Sequence, residues 1–131
     1  MKVLSLFDGI SCGMLALQRA GIPVECYDAF EIDKYAVTVS KRNFPVIVHH
    51  GNVYDGDFTQ FKGYDLLLGG SPCTYWSIAK KDREVDCNGE GFRLFKEYVR
   101  ALEESGCKYF LYENNYSVHQ NIKDEITRVL G

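Results

Sequence analysis

Short apolar segments alternate with amphipathic segments along the chain, and this alternation constrains the fold more than any other feature. The apolar segments have the composition of buried strands, and the amphipathic ones carry apolar residues at helical spacing. No two-residue hairpin turn joins neighbouring strands. The pattern predicts an α/β fold with a mostly parallel sheet between two layers of helices. The predicted strands are residues 2–7, 24–32, 46–49, 64–68 and 108–112, and the predicted helices are 12–20, 34–44, 92–105 and 121–130.

Length and composition indicate one globular domain. The chain has 131 residues, and domains cluster at about 100 to 150 residues. Its hydrophobic fraction of 46% is high enough for a packed core. No apolar run approaches the ~18 residues of a membrane span. Asp8 and Gly9 interrupt the apolar N-terminus too early for a signal peptide, so we expect a cytoplasmic protein.

The five cysteines point to one unusual thiol. Their odd number and the lack of a C-x-x-C pair argue against a disulfide framework and against a zinc site, so no metal is expected. Cys26 and Cys107 stand among strand-like residues and are expected to be small buried side chains. Cys73 instead follows an apolar run and two glycines, on a predicted polar loop. Such an exposed thiol suggests a chemical role.

In a parallel sheet, ligands bind beyond the carboxyl ends of the strands. After the first predicted strand, Gly9 and Gly13 let backbone amides approach a ligand at a helix N-terminus. Their spacing differs from G-x-G-x-x-G, which favours a small anionic group over a diphosphate. Glu31 ends the second strand, where dinucleotide-binding folds place a ribose-binding acid, although a solvated helix cap is the alternative. Together these residues suggest an adenosine cofactor such as S-adenosylmethionine.

The segments at the strand ends resemble the motifs of the DNA (cytosine-5) methyltransferases, in the same order. LSLFDGISCGMLAL is similar to the Phe-x-Gly-x-Gly turn of that family, and EID and GNV are similar to its second and third motifs. GGSPCTYWS resembles the Gly-Gly-x-Pro-Cys-Gln-x-x-Ser nucleophile loop, and YENN resembles the Glu-Asn-Val motif. The resemblance covers the whole chain. It implies the N-terminal part of a catalytic domain with a three-layer, Rossmann-like fold that binds S-adenosylmethionine.

The resemblance also implies roles for individual residues. Cys73 would attack carbon 6 of a cytosine flipped out of DNA, so that carbon 5 can accept a methyl group. Glu113 would hold or protonate ring nitrogen 3, and we expect partial burial of its side chain. The implied cofactor pocket comprises Phe7, Gly9, Gly13, Glu31, Ile32, Asn52 and Val53, and the implied base pocket comprises Ser71, Pro72 and Asn114.

The net charge and the position of the basic residues limit where this chain could contact DNA. The net charge of −3 gives no support to a broad DNA-binding surface, which would be basic. The one basic cluster, Lys80, Lys81 and Arg83, follows the predicted nucleophile. In the family this loop closes over DNA, so these residues are candidates for contacts with the DNA backbone. A solvated run of charges is the alternative.

The sequence departs from the family pattern at several points. Asn52 stands where the third motif usually has Asp, Thr74 replaces Gln, and Asn115 replaces Val. The Gln-x-Arg-x-Arg motif, the target-recognition region and the final strands of the family do not occur in these residues. The resemblance therefore implies that residues 1–131 are a single partial catalytic domain without a target-recognition domain. We expect an exposed edge strand and little activity, unless a second chain supplies the rest.

Other functions remain open from the sequence. The chain could be an S-adenosylmethionine-binding or partner-binding module without activity, or it could methylate cytosine in RNA by the same thiol chemistry. A thiol hydrolase is less favoured, because no histidine lies close to Cys73 in the sequence. His49 and His50 end a different strand and are expected to be solvated there.

Overall fold

The computed structural model describes residues 1–70, 90–113 and 120–130. The strands are β1 Lys2–Leu6, β2 Cys26–Phe30, β3 Val48–His49, β4 Leu66–Gly69 and β5 Tyr109–Tyr112. The helices are α1 Cys12–Arg19, α2 Lys34–Asn43, α3 Glu90–Ser105 and α4 Gln120–Leu130. All the strand pairs are parallel, and the sheet order is β3-β2-β1-β4-β5. The predicted parallel α/β architecture is confirmed.

Helices cover both faces of the sheet, as the apolar strands predict. Successive side chains of a strand point to opposite faces, so neighbouring residues enter different cores. The core beneath α1 contains Val3, Tyr27, Ala29, Met14 and Leu17, and the core beneath α3 contains Leu4, Leu6, Phe30, Leu67, Tyr98 and Ala101. Helix α4 packs against α3, with Ile126 and Leu130 beside Phe92 and Phe95.

Two short 3-10 helices, Val53–Asp55 and Phe58–Phe61, lie between β3 and β4. The sequence pattern did not indicate them, because three or four residues are too few to show a periodicity. Asn52 begins the first of these helices, and its Oδ1 accepts a hydrogen bond from the Tyr54 N–H at 2.9 Å. The Phe58 side chain is fully buried and contacts Phe30, so this segment belongs to the core.

The start of α2 was predicted correctly. The Asp33 carboxylate accepts hydrogen bonds from the backbone N–H groups of Tyr35 at 2.9 Å and Ala36 at 3.3 Å. These contacts satisfy two N–H groups that have no partner within the helix. Of the two cysteines expected inside, Cys107 is buried and Cys26 is only half-buried.

Strand β5 forms one edge of the sheet in the described part of the chain, as predicted. Its side chains are unusually exposed for an apolar strand, at 53% for Tyr109, 42% for Phe110 and 61% for Leu111. No helix among the described residues is long and apolar enough to cross a membrane.

Candidate active site

The carboxyl ends of the parallel strands bring the predicted site segments to one edge of the sheet. The chain passes from β1 outward to β2 and β3, and then crosses to β4 on the other side of β1. The strand order therefore reverses between β1 and β4, where sheets of this type bind ligands. A cavity of about 200 Å³ lies at this point. Its lining includes Phe7, Asp8, Gly13, Gly69, Gly70 and Glu113.

The turn from Phe7 to Ser11 has an unusual backbone. Phe7, Gly9 and Ser11 have φ values of 56°, 61° and 71°, in the left-handed region that favours glycine. A Cβ at Gly9 would meet no atom within 4 Å, so the backbone there faces open space. The Gly9 N–H donates a hydrogen bond of 2.8 Å to Oε1 of Glu31. The turn is thus both open to a ligand and fixed to the end of β2.

The Asp8 carboxylate stabilises this turn through hydrogen bonds. The comparison with the family motifs did not identify Asp8 as a site residue. Its Oδ1 accepts hydrogen bonds from Ser5 Oγ at 2.7 Å and Tyr27 Oη at 2.6 Å, and its Oδ2 accepts one from Ser11 Oγ. Ser11 Oγ also lies 2.5 Å from Ser40 Oγ of α2. The regular spacing Ser-x-x-Asp-x-x-Ser is the sequence feature that could have indicated this network.

The Tyr27 hydroxyl is a dependable donor in this network. Burial and the neighbouring Asp8 carboxylate raise the pKa of Tyr27, so the side chain keeps its proton at neutral pH. Gly13 lies directly above it: a Cβ there would come within 3.0 Å of Tyr27 Oη and 2.9 Å of Leu68 Cδ1. Close packing of α1 on the sheet therefore explains this glycine, which also lines the cavity.

Glu31 links the second strand to the turn and to the chain that enters α2. Besides the Gly9 contact, its Oε2 accepts hydrogen bonds from the N–H groups of Ile32 at 2.9 Å and Asp33 at 3.0 Å. A carboxylate has about four lone-pair positions, so these three bonds still permit one from a ribose hydroxyl. The Ile32 side chain beside it is 73% exposed. The positions of Glu31 and Ile32, after the carboxyl end of β2, are consistent with a ligand-binding site at this edge of the sheet.

Asn52 and Val53 differ in what they can offer to a ligand. The Asn52 oxygen caps a 3-10 helix, but an amide oxygen has a second lone pair for another donor. The Val53 side chain is buried in the core beneath α3. Any ligand contact of Val53 must therefore come from its backbone.

The two glycines at the end of β4 are explained by close contacts with helix α3 and with the end of β5. A Cβ on Gly70 would lie 2.1 Å from the Glu113 carbonyl oxygen, and one on Gly69 would lie 2.9 Å from the Tyr98 ring. The Glu113 N–H donates to the Gly69 carbonyl at 2.9 Å. The end of β4 thus lies directly against the end of β5, as glycines in strands often permit.

Glu113 is exposed, so the expected partial burial is wrong in this structure. The physical reason is its position at the end of β5, which pairs with a strand on one side only among the described residues. Its backbone position is nevertheless fixed through Gly69, beside the cavity between β1 and β4.

Seven predicted site residues lie outside the described part of the chain. They are the nucleophile candidate Cys73, the base-pocket candidates Ser71, Pro72 and Asn114, and the basic residues Lys80, Lys81 and Arg83. Of the remaining candidates, Phe7, Gly13 and Glu113 line one cavity, and Gly9 is bonded to Glu31 beside it.

Of the two histidines at the end of β3, His50 is exposed as the sequence predicted, whereas His49 is half-buried. His50 Nε2 lies 2.7 Å from Oδ1 of the buried Asp28, and its ring stacks on Phe30 with 5.0 Å between centroids. His49 Nε2 lies 3.5 Å from Ser40 Oγ, while its Nδ1 is buried and has no hydrogen-bond partner among the described residues. Burial lowers the pKa of His49 despite the opposing effect of Asp8. The expected solvation is therefore wrong for His49 only, because its ring packs partly inside the protein.

A family model for C-5 cytosine-specific DNA methylases matches residues 1–130. The orphan methyltransferase M.SPRI of Bacillus phage SPR is 38% identical over 118 residues, which are 87% of this chain and 26% of that protein. The type II methyltransferase M.HgiCII of Herpetosiphon aurantiacus is 34% identical over 116 residues, which are 86% of this chain and 25% of that protein. The chain thus spans about a quarter of the length of these curated relatives.

Solved structures agree with the fold. The crystal structure of the Dnmt2 methyltransferase of S. pombe has a TM-score of 0.72 at 20% identity and covers 99% of this chain and 39% of its own. A Dnmt2 mutant from Spodoptera frugiperda has a TM-score of 0.75 at 24% identity and covers 98% of this chain and 40% of its own. These comparisons confirm the predicted three-layer, Rossmann-like methyltransferase fold.

Proposed function

The chain belongs to the C-5 cytosine-specific DNA methylase family, and we propose on that basis that it is the cofactor-binding and nucleophile-bearing part of a DNA (cytosine-5) methyltransferase. The observation that carries the proposal is the cavity at the point where the strand order reverses. The open Gly9 turn lies at β1, on one side of this point, and Glu113 lies at β5, on the other. This arrangement would place a cofactor beside a catalytic carboxylate.

S-adenosylmethionine fits the residues at the first three strand ends. When bound, it supplies a methyl group on a positively charged sulfur. Glu31 would accept a hydrogen bond from a ribose hydroxyl, and the turn of Phe7, Gly9 and Gly13 would hold the amino-acid end. At the other end, the adenine would contact Ile32, the Asn52 amide oxygen and the Val53 backbone, with Asn52 accepting from the adenine amino group.

The proposed chemistry centres on Cys73 and Glu113. The Cys73 thiolate adds to carbon 6 of a flipped cytosine, and this addition makes carbon 5 nucleophilic enough to accept the methyl group. Glu113 holds a proton at ring nitrogen 3 and so offsets the negative charge that develops in the ring. Loss of the proton from carbon 5 then expels the thiolate and restores the aromatic ring. The hydrogen bond from the Glu113 N–H to the Gly69 carbonyl supports this role, because it fixes the backbone of Glu113.

The remaining assignments rest on the sequence motifs. We assign Ser71, Pro72 and Asn114 to the pocket for the flipped base. Contacts with the DNA backbone are assigned to the basic residues Lys80, Lys81 and Arg83. Relatives that are named type II and orphan methyltransferases support DNA as the substrate and, for this chain, a place in restriction-modification systems.

We further propose that turnover needs protein outside these residues, in the same polypeptide or in a second chain. The curated relatives are about four times as long as the part that this chain matches. Target recognition and the rest of the catalytic pocket would come from that additional protein.

A trapping experiment tests the function. The chain is mixed with S-adenosylmethionine and DNA that contains 5-fluorocytosine, with and without the remaining length of M.SPRI as a second chain. 5-Fluorocytosine has no proton to lose at carbon 5, so the thiolate stays attached. We expect a covalent complex only in the mixture, and none with Cys73→Ala.

Other outcomes separate the alternatives. Trapping of RNA but not DNA would overturn the DNA assignment. Binding of S-adenosylhomocysteine with no trapping under any condition would favour a module without activity. A high methylation rate of this chain alone would overturn the need for additional protein.

A further inference from the structure

Arg100 of α3 holds the segment that follows β3. Its Nη2 donates a hydrogen bond of 2.9 Å to the Val53 carbonyl, and its Nη1 donates one of 2.8 Å to the Gly56 carbonyl. Both acceptors are backbone atoms in or directly after the first 3-10 helix, which Asn52 begins. One side chain therefore connects α3 to the segment that carries two of the proposed adenine contacts.

The guanidinium group is itself fixed by its surroundings. Nε donates to Glu97 Oε2 at 2.6 Å, and Nη1 lies 3.4 Å from both carboxylate oxygens of Glu104. Glu104 Oε1 also accepts from the Phe58 N–H at 3.1 Å, and the guanidinium carbon lies 4.5 Å from the centroid of the Phe58 ring. The arginine side chain is 31% exposed. It is thus a partly buried and oriented cation rather than a mobile surface residue.

The 3-10 helix Val53–Asp55, which Arg100 contacts, has few hydrogen bonds of its own. A 3-10 helix of three residues closes very few hydrogen bonds of its own, so its position depends on contacts from outside. The buried Val53 side chain anchors the segment to the core, and the Asn52 Oδ1 accepts a hydrogen bond from the Tyr54 N–H. The two bonds from Arg100 fix the direction of the backbone. That direction determines where the Asn52 amide points.

We propose that Arg100 is a positioning residue that sets Asn52 and Val53 for recognition of the adenine of the cofactor. The inference rests on the proposed cofactor site. Lysine would be a poor substitute, because its ammonium is a point charge and lacks the planar fork that reaches two carbonyls at once. Helix α3 follows residues 71–89, which include the proposed nucleophile. Arg100 therefore connects the segment with the proposed adenine contacts to the helix that comes after the nucleophile in the sequence.

Calorimetry on this chain tests the proposal with two ligands. One is S-adenosylhomocysteine, and the other is S-inosylhomocysteine, in which a carbonyl replaces the 6-amino group of adenine. We expect the unchanged chain to prefer the adenine ligand. In Arg100→Lys and Arg100→Met, affinity for S-adenosylhomocysteine should fall about tenfold, with a smaller fall for S-inosylhomocysteine, so the preference shrinks.

A matched arginine provides the control. Arg128 of α4 also pairs with a glutamate three residues earlier, Glu125, at an exposed site. Arg128→Met should leave both affinities and the preference unchanged. If Arg100→Met does not fold by circular dichroism, Arg100→Lys decides, because it keeps the charge and most of the side chain.

Asn52→Ala separates failure of the inference from failure of the proposed function. If the unchanged chain binds neither ligand, or if Asn52→Ala keeps the full adenine preference, the proposed adenine site is wrong and the inference falls with it. If Asn52→Ala loses the preference while both Arg100 variants keep it, only the inference is overturned. An equal loss of affinity for both ligands in the Arg100 variants would also overturn it, because that pattern indicates general loosening.

Discussion

Asp8 stabilises a turn whose backbone would otherwise be unfavourable. Phe7 and Ser11 adopt left-handed φ values that cost non-glycine residues free energy, and three hydroxyl groups converge on the carboxylate between them. A carboxylate can accept all three bonds because it has only acceptor positions. The geometry of the proposed cofactor turn therefore depends on the charge of one side chain.

Asp8→Asn should lower the free energy of unfolding by about 1 to 3 kcal/mol. The amide keeps one oxygen, and its NH2 group faces hydroxyl groups that had been donating. Urea unfolding at pH 7.5 measures the change. Asp124→Asn is the control, because this exposed residue accepts one bond from Gln120, and its effect should stay within about 0.5 kcal/mol. Equal effects of the two variants would contradict the prediction.

His49 makes stability sensitive to mild acid. Burial holds its pKa in the folded chain below the unfolded value of 6.5, so the unfolded chain binds the proton more readily. Stability is then full above the unfolded pKa and decreases as the pH falls through that value towards the folded pKa. We expect lower urea midpoints at pH 5.5 than at pH 7.5, with a smaller difference in His49→Gln. An unchanged difference in the variant would show that other groups cause the effect.

At the scale of elements, the ends of strands were harder to predict than their existence. Val24 and Ile32 are apolar and extend the predicted second strand, but the ladder with β1 covers only Cys26 to Phe30. A strand ends where its pairing with the neighbouring strand ends. The length of the neighbouring strand cannot be predicted from the strand's own residues. Helix α2 was placed more accurately because its start depends on a local feature, the Asp33 cap.

The edge strand β5 makes this chain prone to associate with itself. In the part of the chain that the structure describes, β5 combines an edge without a pairing strand with exposed Tyr109, Phe110 and Leu111, and this combination favours strand pairing between molecules. Leu111→Lys should therefore reduce the fraction of large species in sedimentation velocity at high concentration. Ile22→Lys also places a lysine at an apolar position, outside β5 and 36% exposed, and it should have no such effect. Equal behaviour of both variants would exclude β5 as the main site of association.

At the scale of the whole molecule, the fold class followed from the sequence because the strands are apolar enough to require covering on both faces. Of the residues predicted at the carboxyl edge, Phe7, Gly13 and Glu113 line one cavity, while Cys73 lies outside the described residues. The contacts of Asp8 with Tyr27 and of Arg100 with Val53 could not be predicted in this way. They join residues 19 and 47 positions apart, and local patterns do not encode such pairings.

The central position of β1 has a consequence for the order of assembly. Val3 pairs with Tyr27 on one side and with Leu66 on the other, so its second partner is synthesised 39 residues later than its first. Contacts over short separations form with a smaller loss of chain entropy. During synthesis, the pairing of β1 with β2, at the proposed cofactor site, can therefore form while the segment that carries the proposed nucleophile is still being made.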